Sequence, residues 1–265
     1  MNRILKLKPL LDEWLDKTNH PDFIHNDPIT IPHRFEKKQD IEISGFFAAI
    51  MAWGNRTTII NKCSELMDRM DNAPHDFLTN ANQRSWTQLE GFVHRTMNDT
   101  DILFLSEFLR NWYGKHESLE TAFASIISKT DLNVKSGLEG FHELIFSGNT
   151  VSERTRKHIA TPKRKSACKR LNMYLRWMVR DDDNGVDFGL WKSINTAQLV
   201  CPLDVHVQKV ALELGLLKRK ISDWRAAEEL TEALKVLDPT DPVKYDYALF
   251  GLGISKKRHK KNPVQ

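Results

Sequence analysis

The chain has 265 residues, 40% of them hydrophobic, and a formal net charge of +4. This is enough apolar material for one large domain or two smaller ones sharing a core, and too little charge to name a partner. No apolar run approaches the roughly 20 residues of a membrane helix. The opening MNRILKLKPLLDEWLDK carries acids within its apolar pattern and no small-residue cleavage site, so neither a membrane span nor a signal peptide is expected.

Apolar residues recur at helical spacing through most of the chain, which predicts an all-α protein. Residues 3–17 form an amphipathic helix, and 20–40, rich in His, Pro, Asp and Asn, a loop. The stretch DIEISGFFAAIMAWGN, 40–55, is apolar nearly all round and predicts a central buried helix. A turn at 55–58 leads to a helix over 59–70. Shorter helices follow at 74–80, 85–97, 101–113, 117–128 and 137–146. The remaining helices are expected at 165–180, 205–217, 222–237 and 242–252. Asp241 before Pro242, with Gly251 and Gly253 near the end, marks a start and a stop. Alternating strand patterns and repeats are absent. The whole reads as one domain over 1–253 and a basic tail over 254–265, in which KKRHKK is expected to be a frayed, solvated end.

Cys63, Cys168 and Cys201 are far apart and odd in number, matching no disulfide framework and no zinc or iron–sulfur spacing. No metal and no cofactor is expected, and a reducing cytoplasm fits. The charge distribution is more informative than its sum. Between Arg154 and Arg180 there are ten Lys or Arg and no Asp or Glu. Leu171, Met173, Tyr174, Leu175, Trp177 and Met178 thread this block, which makes it an amphipathic helix with a basic side. Such a side is either a solvated face or a footprint for a polyanion such as nucleic acid.

Lys169 sits early on that helix among Cys168, Leu171 and Met173 and beside Arg164, Lys165 and Arg170. Apolar surroundings and like charges lower an amine's pKa and favour nucleophilic chemistry. One loop later, PLDVHVQKVALELGLL places Asp204 and His206 at the opening of an apolar helix. Chemistry alone favours a surface lysine and a helix cap worth about 1 kcal/mol. Capping and pointing at a substrate are compatible roles for one carboxylate.

A basic helix–turn–helix with a lysine opening its second helix, followed by a Leu-Asp-x-His-Val segment opening a further helix, resembles the helix-hairpin-helix DNA glycosylase superfamily. The likeness runs over about 40–253 and is strongest over 158–217. It implies N- and C-terminal helical lobes around a cleft, with Asp204 matching the catalytic aspartate and Lys169, in SACKRLNMYL, the lysine of the bifunctional members. Lys165 and Lys163 are alternatives. Asn55, in FFAAIMAWGNRTTIINKCSELM, matches a polar side chain that enters the DNA helix. The resemblance further implies phosphate contacts through Lys163, Arg164, Lys165, Arg170 and His206, and base stacking on Trp53, Trp177 or Phe250. The glycine-rich hairpin turn of the superfamily is replaced here by ATPKRKSA, and the cysteines of the iron–sulfur branch are missing. The long spacing from Lys169 to Asp204 is closest to the archaeal 8-oxoguanine glycosylase branch. The whole chain also resembles a bacterial family known as domain of unknown function 2400, through KRLNMYLRWMVR, GVDFGLW, PLDVHV and DPVKYDYALFGLG.

The expected activity is excision of a damaged base from double-stranded DNA by a cytoplasmic, nucleoid-associated monomer, with strand cleavage if the lysine serves as nucleophile. A non-catalytic nucleic-acid binder on the same fold, or an enzyme acting on RNA or a small molecule, are the alternatives.

Overall fold

Nearly every stretch with an apolar stripe at helical spacing is helical. The computed structural model describes residues 2–147 and 151–261, with side chains from 3 to 147 and from 151 to 255. The first helical stretch is split into α1 (Asn2–Leu5) and α2 (Lys8–Thr18), with Pro9 in the first turn of α2, where a missing N–H costs nothing. The stretch read as a loop holds three short 3-10 turns at Pro21–Asn26, Pro28–Thr30 and Pro32–Arg34, each opened by its proline. Then come α3 (Lys38–Ile50), α4 (Arg56–Arg69), α5 (Pro74–Thr79) and α6 (Gln83–Leu89).

The helix expected over 85–97 ends early. Gly91 (φ 71°) and Arg95 (φ 57°) take left-handed conformations, and the chain turns into an antiparallel pair, β1 (Val93–His94) with β2 (Met97–Asn98). Asn98 and Asp101 then cap α7 (Asp99–Tyr113) reciprocally. There follow α8 (Thr121–Ala124), α9 (Lys135–Phe146), α10 (Glu153–Arg156), α11 (Lys169–Val179), α12 (Val205–Leu214), α13 (Trp224–Lys235) and α14 (Tyr245–Lys261).

The stop expected near residue 252 is overridden, and the backbone of α14 runs on to Lys261. Gly251 serves close approach instead. A Cβ there would collide with the Thr18 Oγ1 of α2, and one on Gly253 would touch His206 and Val210 of α12. The side chains of the basic stretch 256–261, and residues 262–265, lie outside the described residues.

The chain divides into two units. One takes residues up to 23, 129–136 and 161 onward; the other takes 24–128 and 137–160. In the first, α14 packs on α2 and α12, and Tyr174, Trp177, Trp191, Tyr245 and Tyr247 are fully or almost fully buried. In the second, α3 is enclosed on all sides. Phe141 stacks on Phe123 with ring centroids 3.9 Å apart and meets Phe46 edge-on at 6.0 Å. The more deeply buried of the two acids in α3, Glu42, accepts hydrogen bonds from the Tyr113 hydroxyl (2.8 Å) and the Leu119 amide (3.0 Å), which offset the cost of burying a polar group. Among the described residues no helix is long and apolar enough to cross a membrane, and no group of three His, Cys, Asp or Glu is placed to hold a metal ion. All three cysteines are buried thiols.

Candidate functional site

The hairpin stretch ATPKRKSA solves its lack of glycine by strain. Thr161 opens a 3-10 turn over Pro162–Arg164, and Lys165 closes it in the left-handed region at φ 59°. Ser166 forms an isolated antiparallel bridge with Asp223, and Cys168, also left-handed at φ 50°, precedes α11. Each such residue costs roughly 1–2 kcal/mol where glycine costs almost nothing. The Asn172 side chain helps hold the turn by donating to the Ala167 carbonyl at 3.1 Å. Lys163, Arg164 and Lys165 are exposed. Arg170, expected to be a phosphate contact, is half-buried, and desolvation pushes its guanidinium down to about 10. It is not a plain surface cation.

Lys169 is the first residue of α11, half-buried, with its amine 3.1 Å from the Met173 sulfur one turn on. Asp204 is the N-cap of α12. Its Oδ1 accepts both capping bonds, from the His206 amide at 2.7 Å and the Val207 amide at 2.8 Å. No hydrogen bond among the described residues engages its Oδ2, so the cap leaves half of the carboxylate unspent.

Both charges act on a third group. Asp246, in the first turn of α14, is buried and paired with Arg176. Burial pushes its carboxyl up to about 6; the Arg176 and Lys169 cations oppose this, and the Asp204 carboxylate adds to it. Lys169 and Asp204 therefore both lie within electrostatic reach of one buried acid. The Cys201 thiol, three residues before Asp204, is pushed well up by burial and by Asp246 and Asp204, and is inert as a nucleophile.

The rest of the basic stretch is not one face. Arg176 pairs with Asp187 and Asp246, and Arg180 with Asp182, Asp187 and Asp241. The Tyr247 hydroxyl donates to Asp187 at 2.8 Å under the Arg176 guanidinium, 4.0 Å above the ring. Both arginines are buried. The acidic run at 181–183, which looks like a separate block in sequence, supplies one of their partners. In the other unit Arg154 binds Asp101 at 2.8 Å, together with Asn98 and the Thr96 carbonyl.

The expected base-stacking residues separate. Trp177 is wholly enclosed in its unit's core, so its ring has no face left for a base. Phe250 is half-buried and edge-on to Phe23 at 5.8 Å. Trp53, half-buried in the other unit, lies between two histidines, edge-on to His94 at 4.9 Å and stacked on His158 at 6.0 Å. Asn55 is exposed and caps α4, accepting from the Thr58 amide at 3.1 Å. The Gly54 before it, at φ 105°, makes the turn that presents it. His206 is half-buried in the first turn of α12.

A family described as a protein of unknown function, DUF2400, matches residues 27–255. The chain belongs to that family. No curated protein and no solved structure matches it. The DUF2400 span takes in the strained turn, Lys169, the Asp204 cap and Asp246. Of these, Asp246 escaped sequence reasoning. Its signal was an acid one residue inside an apolar helix, in KYDYALF, where a solvated position and a buried one read alike.

Proposed function

We propose that the protein is a DNA base-excision glycosylase with lyase activity, using Lys169 as nucleophile and Asp204 as electrostatic partner. One observation supports this above the rest. The buried acid Asp246 at the start of α14 feels both the Lys169 amine at the start of α11 and the half-engaged Asp204 carboxylate at the start of α12. Acids perturbed by burial and by specific charged partners cluster at functional sites.

In the proposed reaction, a damaged base leaves the stack and enters the site. The unprotonated Lys169 amine attacks the sugar C1′, the bond to the base breaks, and the base departs with a proton. The resulting imine permits β-elimination of the 3′ phosphate. Asp204 Oδ2 offsets the positive charge that develops on the sugar while Oδ1 keeps the helix capped. Lys163, Arg164 and Lys165 carry the strand by its phosphates. The protein would act as a monomer on double-stranded DNA at the nucleoid.

The test is borohydride trapping on duplexes that each carry a different lesion. Wild type should form a covalent adduct with at least one, and Lys169→Gln none. Asp204→Asn should keep stability and DNA affinity, since Asn caps nearly as well, while turnover falls by about 100-fold or more. If DNA binds but nothing is trapped or turned over across the panel, the protein is a non-catalytic nucleic-acid binder.

A further inference from the structure

A second feature of the same unit lies apart from Lys169 and Asp204. A cavity of about 320 Å³ opens beside the start of α13, lined by Lys135, Pro162, Lys165, Arg219, Asp223, Trp224, Arg225 and Glu228. Four of these side chains are cationic and two acidic, a net charge of +2. The two acids are already engaged. Asp223 caps α13 and is gripped by the Arg219 fork, with Nε to Oδ1 at 2.7 Å, and Glu228 accepts from the Asn133 amide at 3.1 Å. The side chains of Lys135, Lys165 and Arg225 form no ion pair or hydrogen bond among the described residues.

The cations around this concavity outnumber its two carboxylates, and their mutual repulsion is a cost that an anion would relieve. The 12-residue helix α13 directs its positive end here. Trp224 lines the wall, but its indole Nε1 is buried away from solvent and bonds to nothing among the described residues. The strained Lys165 backbone places one of the three cations, so the left-handed turn has a use that a glycine could not supply.

We infer that this cavity is a phosphate site. The donors around it are the Lys135, Lys165 and Arg225 side chains, and Arg225 brings the planar fork that recognises phosphate in two contacts. A phosphate could come from the backbone of a nucleic-acid strand or from a free phosphate ion. The strand source rests on the function proposed above; the anion site does not.

The experiment uses the full-length Lys169→Gln protein, so that the nucleophile of the proposed reaction is absent and binding is read without it. Two probes are titrated, inorganic phosphate and a duplex without terminal phosphates. Each is repeated in Lys135→Gln/Arg225→Gln and, as a control for charge alone, in Lys6→Gln, an exposed residue of the same unit. Loss of phosphate binding by about tenfold in the double variant and not in the control supports the site. A similar loss for the duplex assigns the phosphate to a strand; duplex binding that keeps its affinity assigns it to free phosphate. If neither probe distinguishes the double variant from the control while both proteins stay folded by circular dichroism, the inference is overturned. Trapping by Lys169 is measured separately, so failure of the glycosylase reading leaves this result standing.

Discussion

Asp204 shows how much one side chain can carry. Its capping bonds both fall on Oδ1, so the helix start is secured without using the second oxygen. Asp101 shows the opposite case, a carboxylate with every contact spent on structure. Burial alone would raise its pKa, but His158, the Asn98 amide and Thr155 outweigh it and hold the carboxyl down to about 2. A depressed acid stabilises the fold above its unfolded pKa, near 4, and that stability is lost as pH falls through about 2. Asp101→Asn should therefore cost about 2 kcal/mol at neutral pH. The gap from wild type, measured by denaturant unfolding, should close between about pH 4 and pH 2; a constant gap would mean that packing, not charge, is what the substitution removes.

At the scale of an element, α11 is the informative one. Its amphipathicity and basic character are plain in KRLNMYLRWMVR, but which cations face water is not. Lys169 and Arg170 are half-buried at its start, and Arg176 lies buried against Asp187 and Asp246. Helical period assigns residues to a face; it does not tell a solvated face from one covered by a remote carboxylate. Removing one partner of a buried pair costs more than the pair contributes, because the other charge is stranded. Arg176→Met should destabilise the protein by about 3–5 kcal/mol, seen as a fall in the denaturation midpoint. Restoring near-normal stability by adding Asp246→Asn would confirm that the stranded charge is the cause.

Across the whole molecule, the ten cations from 154 to 180 divide by task. Arg154, Arg176 and Arg180 hold carboxylates inside the two units, while Lys163, Arg164 and Lys165 stand exposed on the strained turn. On the function proposed above, nucleic-acid affinity should rest on the turn. Lys163→Gln/Arg164→Gln should weaken duplex binding by a similar factor for all sequences and reduce the salt slope by about 2. Binding isotherms between low and moderate salt check this, and an unchanged slope would place the footprint elsewhere.

The sequence by itself determined the helical class, most helix positions and the Asp204 cap, because these depend on periodicity and on contacts two or three residues apart. It misplaced the β1–β2 hairpin and the end of α14, where a left-handed residue or a glycine kept for close packing overrode the local pattern. Only the tertiary structure decided which cations are buried, and brought Asp246 into reach of Lys169 and Asp204. It also assembled the cavity beside α13 from residues as distant as Lys135 and Glu228. Those outcomes turn on desolvation and on charges far apart in the chain, and both are set by what packs against a side chain.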